Sequence, residues 1–225
     1  VLALVEQCLA AGVLEELEGW QPTERGTPQG AVISPLLANL YLNPLDQEME
    51  GRGRKLVRYA DDLVVLCRSR EEAQRVLEEL RDWTGKAGLT LHPTKTRIVN
   101  GTEEGFDFLG WHFCGGKKWP RKKSLQKLRE RLRPLTRRQQ GRCLPALVAR
   151  VNPILRGWYN YFRDSHGSDL RVMDGWVRRR LRAMLRKREK RPGYGLGKED
   201  HRRWPNRWFA AQGLFSLEHG SCAYG

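Results

Sequence analysis

Two adjacent aspartates, Asp61 and Asp62, are the residues of this sequence best placed to do chemistry. Apolar residues lead into them through Tyr59 and out of them through Leu66, which is typical of two β-strands joined by a tight turn. Neighbouring carboxylates repel each other and raise a pKa unless a cation neutralises them. Mg²⁺ takes oxygen ligands, usually one or two carboxylates together with substrate phosphates. The pair therefore predicts a magnesium site for phosphoryl transfer, and the alternative is an acidic turn that only solvates a hairpin tip.

Charge is distributed unevenly along the 225 residues, whose net charge is +15. Residues 1–114 contain 12 Lys and Arg against 18 Asp and Glu, whereas residues 115–225 contain 29 against 8. This difference predicts a domain boundary near Gly115, between an acidic front half and a basic back half. A polyanion is the expected partner of the basic half, and nucleic acid is the leading candidate.

The cysteines and the hydropathy of the chain indicate its compartment. The cysteines are widely spaced and form no Cys-x-x-Cys motif, which favours free thiols and a reducing environment. No apolar run approaches the about 20 residues that a membrane-spanning helix needs. We therefore expect a cytoplasmic protein with no membrane partner, associated with the nucleoid when it is bound to nucleic acid. The five cysteines are Cys8, Cys67, Cys114, Cys143 and Cys222.

Helices and loops must position the aspartate pair. An amphipathic pattern at the N-terminus predicts a helix that stops at Gly12. The loop Gly26–Gly30 is bounded by glycine, so its backbone can approach a ligand closely. A helix is expected to begin at Ser34 as N-cap with Pro35 in its first turn, and to be kinked or ended by Pro44.

A second helix follows the hairpin. Ser69–Glu72 matches a capping box, and the amphipathic stripe that follows is terminated by Gly88. Strands are then expected at Thr96–Asn100 and Phe106–Phe113. Lys95 lies on the approach to the first of them, where it is either a solvated lysine or a group that reaches a phosphate or donates a proton to a leaving group.

Helical patterns continue in the basic half over Leu125–Leu135, Pro145–Tyr161 and Asp169–Arg188, and predict a small bundle. Aromatic residues in the second pattern either stack on bases or pack the bundle. A run of arginines in the third needs counter-charge, which phosphates supply. The candidate RNA-binding residues are Arg156, Trp158, Tyr159, Arg163, Arg178, Arg179 and Arg180.

These motifs, taken in chain order, resemble the reverse transcriptase blocks of bacterial group II intron-encoded proteins. Asn152–Phe162 resembles the maturase, or thumb, segment of the same family. The similarity covers nearly the whole chain. The reverse transcriptase blocks are Gly26–Gly30, Ile33–Asn39, Tyr59–Asp62, Gly88–Leu89 with Lys95, and Phe108–Gly110.

The resemblance implies an α+β fold: a right-hand polymerase palm, with an antiparallel sheet and packed helices, followed by an all-helical thumb or maturase bundle. The implied domains are a palm over 1–114, a thumb over 115–192 and a C-terminal extension over 193–225. It implies extension of a DNA primer on an RNA template with dNTPs, and binding of group II intron RNA. The chain opens inside a helical pattern, so we expect an N-terminal truncation, with the missing segment or a dimer partner supplying the fingers.

The family's residue roles transfer only to matching positions. Asp61 and Asp62 would be the palm carboxylates that hold Mg²⁺ in a two-metal site, and Lys95 would approach the triphosphate. The residues that would lie by the template and incoming nucleotide are Gln29, Gly30, Tyr59 and Ala60. The residues that would form the primer grip are Leu109, Gly110 and Trp111.

One departure from the family concerns a third palm carboxylate, an aspartate expected upstream of Gly26. The first aspartate of this sequence is Asp46. We therefore expect that the chain alone does not polymerise. Two alternatives remain open: an RNA-binding maturase module that does not polymerise, and an inactive remnant that exposes apolar surface.

Overall fold

The structure is a computed structural model that describes residues 2–10, 12–15, 19–21, 31–139 and 141–222. It contains two compact units, residues 1–98 and residues 99–225. Both combine helices with small antiparallel sheets, which confirms the α+β class. None of the described helices is both long enough and apolar enough to cross a membrane.

The first unit places a hairpin between two long helices. Gly12 follows the first helix with a φ of +68°, so the predicted stop is confirmed. The elements are α1 (Leu2–Ala10), β1 (Val13–Glu15), β2 (Gly19–Gln21), α2 (Ser34–Gly51), β3 (Lys55–Tyr59), β4 (Asp62–Leu66) and α3 (Arg70–Lys86), with β1 paired to β2 and β3 paired to β4.

The core of the first unit lies between α2, α3 and one face of the β3–β4 hairpin. Leu45 and Met49 of α2 are buried against Val76 and Leu80 of α3. Side chains alternate along the strands, so Leu56, Leu63 and Val65 pack against this core. Burying these side chains stabilises the unit, at about 1.5–3 kcal/mol for each one fully buried. The opposite face of the hairpin stays open and exposes Val57, Tyr59 and Leu66.

Two predictions for residues 31–100 are wrong, and one of the two outcomes expected at Pro44 is excluded. Helix α2 does not end at Pro44 but continues to Gly51, so only a kink there stays a prediction. Its N-cap is Ile33, one residue before Ser34. Residues 96–100 form no strand. Their ends are held in local turns instead, because the Thr96 N–H donates to the carbonyl of His92 at 3.0 Å and the carbonyl of Asn100 accepts the Glu104 N–H at 2.9 Å.

The second unit joins a three-stranded antiparallel sheet to five helices. The predicted strand Phe106–Phe113 is wrong as one element, because Leu109 and Gly110 have positive φ values of 47° and 84° and turn the chain back on itself. The elements are β5 (Phe106–Phe108), β6 (Trp111–Cys114), β7 (Lys117–Pro120), α4 (Lys122–Leu132), α5 (Leu144–Phe162), α6 (Asp169–Arg188), α7 (Lys198–Arg203) and α8 (Asn206–Ala211).

The predicted bundle of α4, α5 and α6 is confirmed by one continuous apolar core, which includes Leu132, Leu155 and Leu181. The segment after α6 belongs to this core, because Phe209 and Leu217 are also buried in it. The sheet β5–β7 lies in the same compact unit as the helices. The boundary proposed from charge, near residue 115, stays a prediction.

Candidate active site and nucleic-acid groove

The aspartate pair lies at the tip of the β3–β4 hairpin. Tyr59 pairs with Asp62 across a two-residue turn of Ala60 and Asp61, so the predicted hairpin is confirmed. Ala60 takes a φ of +54° in that turn. Both aspartates are exposed, and neither forms an ion pair or a hydrogen bond through its side chain with another described residue. Their four carboxylate oxygens are therefore available to a ligand.

Arg58 holds this turn against helix α2. Its guanidinium donates through Nε to Asp46 Oδ1 at 2.8 Å and through Nη1 to the carbonyl of Ala60 at 2.9 Å and to Asn39 Oδ1 at 3.1 Å. The hydrogen bond with Asp46 raises the pKa of Arg58. Sequence reasoning missed this residue. The available signal was an arginine at an inward position of an alternating strand, two residues after Leu56, where a buried charge requires a partner.

A second arginine fixes the start of β3. Arg54 donates to Glu72 at 2.9 Å and to Glu79 at 3.0 Å, both on α3. Its hydrogen bond lowers the pKa of Glu79, whereas the pKa of Glu72 is lowered first by the backbone N–H of Arg68. Ser69 Oγ accepts the Glu72 N–H at 3.1 Å, so the N-cap is confirmed, but the Glu72 carboxylate accepts from Arg68 and completes no box with Ser69.

The donor set at the hairpin tip fits Mg²⁺ that is shared with a substrate. Asp61 and Asp62 offer the hard oxygen ligands that Mg²⁺ prefers, and their exposure leaves room for phosphates and water. Within the described ranges, no group of three or more His, Cys, Asp or Glu side chains is arranged to hold a metal. Among the described residues, the pair would supply only part of a coordination shell for such an ion.

The other residues predicted for this site are placed as follows. Lys95 is exposed and belongs to the turn that follows His92. Tyr59 is exposed on the open face of the hairpin. Gln29 and Gly30 lie outside the described residues. The parts assigned to these residues and to Ala60 stay predictions.

In the second unit, the turn predicted as a primer grip is fixed by both neighbouring helices. The hydroxyl of Tyr161 on α5 donates to the carbonyl of Leu109 at 2.6 Å. The carbonyl of Gly110 accepts from Ser124 Oγ at 2.8 Å and from the N–H of Arg121 at 3.0 Å. A side chain at Gly110 would be strained, since its φ is +84° and a Cβ would meet Ser124 Oγ at 3.2 Å.

Trp111, the third residue of the predicted grip, is buried. Its ring packs on Phe162 with the centroids 4.8 Å apart, and the Lys118 ammonium lies 4.7 Å from its centroid. Trp111 therefore anchors the sheet to α5. The exposed side chain of Tyr161 packs beside it at 6.0 Å.

A groove of about 520 Å³ runs between α4 and α5. Its floor is apolar, with Leu128, Ile154 and Trp158, and its rim carries the exposed cations Lys127 and Arg131. The two side chains that hold the grip turn, Ser124 and Tyr161, also line it. Aromatic and apolar surface bordered by cations suits the sugars and bases of a nucleic acid strand on the floor and its phosphates at the rim.

The predicted RNA-binding residues of α5 fall into two groups. Arg156 and Arg163 are exposed, and the Arg156 guanidinium lies 5.6 Å from the ring centroid of Phe215. Trp158 and Tyr159 are partly buried and pack against the core of the bundle. Packing of the bundle is confirmed for Trp158, which also lines the groove, whereas stacking on bases stays a prediction.

The three consecutive arginines of α6 have different environments. Arg178 is buried and lies 3.4 Å from the Asp174 carboxylate, so its charge is neutralised within the fold. Arg179 is exposed. Arg180 is half-buried and donates to Thr136 Oγ1 at 2.6 Å. The predicted cationic face is therefore narrower than the sequence suggests, and Arg179 is its most accessible member of the three.

Comparisons with known proteins agree with this architecture. A family model described as reverse transcriptase (RNA-dependent DNA polymerase) matches residues 2–113. A second, described as the group II intron maturase-specific domain, matches residues 125–208. The chain belongs to the group II intron-encoded reverse transcriptase and maturase family.

Three curated relatives illustrate the match. Group II intron-encoded protein LtrA of Lactococcus lactis subsp. cremoris is 50% identical over 20% of this chain and 7% of its own length. Protein YkfC of Escherichia coli is 30% identical over 40% of this chain and 33% of its own length. A protein named "Uncharacterized 91 kDa protein in cob intron" from Schizosaccharomyces pombe is 25% identical over 73% of this chain and 31% of its own length. The chain thus spans about a third or less of each of these relatives.

Proposed function

We propose that this chain is the palm and thumb part of an RNA-directed DNA polymerase that also binds group II intron RNA. The observation that carries the proposal is the groove between α4 and α5, which adjoins the grip turn and combines an aromatic floor with a basic rim. The exposed aspartates on the turn buttressed by Arg58 support the polymerase part of the proposal.

At the hairpin, Asp61 and Asp62 would hold Mg²⁺ together with the phosphates of a dNTP. Bound Mg²⁺ would supply electrostatic stabilisation of the oxygens that gain charge when the primer 3′-hydroxyl attacks the α-phosphate and pyrophosphate leaves. Arg58 keeps the turn in position, because it binds the carbonyl of Ala60 directly. Lys95 approaches the triphosphate, and the template and nucleotide lie by the Gln29 loop and Tyr59.

In the second unit, the groove between α4 and α5 holds the primer–template duplex. Trp158 contacts sugars and bases, and Lys127 and Arg131 contact phosphates. Phosphate contacts are independent of sequence and weaken as the salt concentration rises, because the release of condensed counterions by the bound protein then gains less free energy. The exposed Arg156, Arg163 and Arg179 extend this cationic surface to intron RNA.

Duplex binding tests the proposal. Fluorescence anisotropy of a labelled 20-bp oligo(rA)/oligo(dT) duplex, at 50 to 200 mM KCl, measures the affinity of the 225-residue chain. We expect Trp158→Ala to weaken binding by about tenfold, since the indole ring loses its apolar contact with the sugars of the duplex, at about 25 cal/mol per Å² of apolar surface buried. Replacing both Lys127 and Arg131 by Gln should reduce the salt slope by about 2, one for each lost phosphate contact.

The control for this experiment is the double variant Arg171→Gln and Lys198→Gln, which removes two exposed charges that do not line the groove. It should bind within about twofold of the wild type, because only general electrostatic attraction is reduced. Equal binding by the wild type, the Trp158 variant and the rim variant would overturn the proposal.

A second candidate is an RNA-binding module that does not polymerise. The small number of carboxylates at the hairpin tip favours it, because the described residues bring no third metal-binding side chain to Asp61 and Asp62. We expect primer extension on poly(rA)/oligo(dT) with Mg²⁺ by this isolated chain to remain at the background of Asp61→Asn. Robust synthesis would refute that expectation and would remove this candidate.

A further inference from the structure

A second concavity of about 640 Å³ lies in the second unit, where the segment after α4 meets α6. Four of the residues that line it are cationic and none is acidic. Its lining residues are Pro134, Arg137, Arg138, Gln139, Arg180 and Lys187. It shares no residue with the groove between α4 and α5.

Arg138 lines this concavity and is partly buried. Its Nε is buried and has no hydrogen-bond partner among the described residues. Its guanidinium lies 5.1 Å from the ring centroid of Tyr194, which holds the plane of the group in place.

Arg180 is fixed from the other side. Its Nε donates to Thr136 Oγ1 at 2.6 Å, its Nη2 donates to the carbonyl of Thr136 at 3.0 Å, and it lies 5.1 Å from the ring centroid of Trp176. Burial lowers the pKa of Arg180, and the charges of Arg133 and Arg179 lower it further. Within the described part of the chain, its guanidinium has carbonyl and hydroxyl partners but no carboxylate.

Other arginines near this end of α6 are neutralised within the fold. Arg186 lies 2.6 Å from the carboxylate of Asp200, and Arg191 pairs with Glu199. By contrast, none of the four cations of the concavity lies within ion-pair distance of a described acidic side chain. The charge concentrated there is available to an external anion.

We propose that this concavity is a phosphate pocket, defined by Arg137, Arg138, Arg180 and Lys187, that binds successive phosphates of a folded RNA strand. The inference rests on the proposed function and assigns a second RNA contact to it. Guanidinium groups bind phosphate oxygens through paired N–H donors, and Lys187 adds a point charge. The lining is mainly polar and cationic, with Pro134 as its one apolar residue, so the sugar–phosphate backbone is the part of RNA that fits best.

The pocket variant for the test combines Arg137→Gln, Arg138→Gln and Lys187→Gln. It leaves Arg180 in place, because that residue also holds Thr136. The matched control combines Arg171→Gln, Lys198→Gln and Arg207→Gln, which removes the same charge from exposed positions outside the pocket and the groove. Single Arg138→Gln serves as a second variant, and far-UV circular dichroism checks that each chain is folded.

Two measurements test the pocket and its assignment to RNA separately. Calorimetric titration with pyrophosphate should show one site per wild-type chain, an affinity at least tenfold lower in the pocket variant, and no change in the control. Anisotropy of a labelled 30-nucleotide RNA hairpin should show at least tenfold weaker binding by the pocket variant and a salt slope reduced by about 3, against less than twofold weakening in the control.

The contradicting outcomes are distinct. Pyrophosphate affinity that is equal in the pocket variant and the control would overturn the pocket. Pyrophosphate binding that depends on the pocket, combined with RNA hairpin binding that does not, would overturn the assignment to RNA. Duplex binding that is unchanged in the Trp158 and rim variants, combined with the pyrophosphate and RNA hairpin results expected here, would overturn only the groove, so failure of the proposed function and failure of the pocket are distinguishable.

Discussion

At the scale of single residues, the sequence identifies the reactive groups more readily than the residue that positions them. Two adjacent carboxylates between apolar runs predict a hairpin tip and a metal, and Asp61 and Asp62 lie at that tip. Arg58 and Asp46 carry no such signature, because their significance depends on α2 lying across the hairpin. Only the structure shows that this arginine binds both a helix and the turn.

The first prediction concerns Arg58. Arg58→Gln should lower the free energy of unfolding by about 1–3 kcal/mol, because it leaves Asp46 and the carbonyl of Ala60 without their donor. Urea denaturation followed by circular dichroism measures this change. Arg97→Gln, at an exposed position, should change the stability by less than about 0.5 kcal/mol. An equal effect of the two substitutions would show that the hydrogen bonds of Arg58 do not stabilise the hairpin.

At the scale of elements, prediction succeeds where one pattern decides the structure. Helix α6 has the bounds that its periodicity predicts, Asp169–Arg188. Residues 96–100 have a strand-like composition but pair with none of the strands that the structure describes, and local turns satisfy their ends. The turn at Leu109 and Gly110 is specified by contacts with Tyr161 and Ser124, which lie far along the chain and leave no local signal.

The segment after α8 depends on one buried carboxylate. Asp174 accepts from Ser216 Oγ at 2.6 Å and from the N–H of Leu217 at 2.9 Å, and lies 3.4 Å from Arg178. Asp174→Ala should lower the free energy of unfolding by about 3–5 kcal/mol, because it leaves Arg178 as a buried charge without its carboxylate partner. Asp174→Asn should cost less, since it keeps an oxygen acceptor. Urea denaturation measures both.

Hydrogen exchange over residues 214–222 gives the local readout for the Asp174 variants, and faster exchange is expected there. Asp164→Ala is the control, because Asp164 is mostly exposed and lies 3.9 Å from Lys118. Unchanged exchange in Asp174→Ala would contradict the view that this carboxylate holds the segment.

Acid should weaken the contact between β3 and α3. The pKa of Glu79 is held below its ordinary value of 4.5 by the hydrogen bond from Arg54. The unfolded chain then binds more protons, so this stabilisation is present above about pH 4.5 and is lost as the pH falls through the lower folded value. Urea midpoints between pH 7 and pH 3 should fall more steeply for the wild type than for Arg54→Gln. Parallel curves would contradict this.

At the scale of the whole molecule, the sequence predicts the excess of positive charge but not which of the basic residues are exposed to a ligand. The basic half suits a polyanion, yet some of its arginines act inside the fold. Arg182 is buried, donates to the carbonyl of Trp204 at 2.9 Å, and has its pKa lowered to about 10 by burial and by the charge of Arg178. Charge counts cannot separate such residues from Lys127 and Arg131 at the groove rim, because burial depends on tertiary packing.

The most direct test of the polymerase assignment locates the metal on the hairpin. Fe²⁺ is substituted for Mg²⁺ in the presence of dTTP and the oligo(rA)/oligo(dT) duplex, with hydrogen peroxide as oxidant and ascorbate to return Fe³⁺ to Fe²⁺. Reduction of the peroxide by Fe²⁺ gives hydroxyl radicals that cut the backbone beside the bound metal, and mass spectrometry maps the cuts. We predict cleavage centred on residues 58–64, suppressed by excess Mg²⁺ and abolished by combining Asp61→Asn with Asp62→Asn. Cleavage at another segment, or an unchanged pattern in that double variant, would contradict the account.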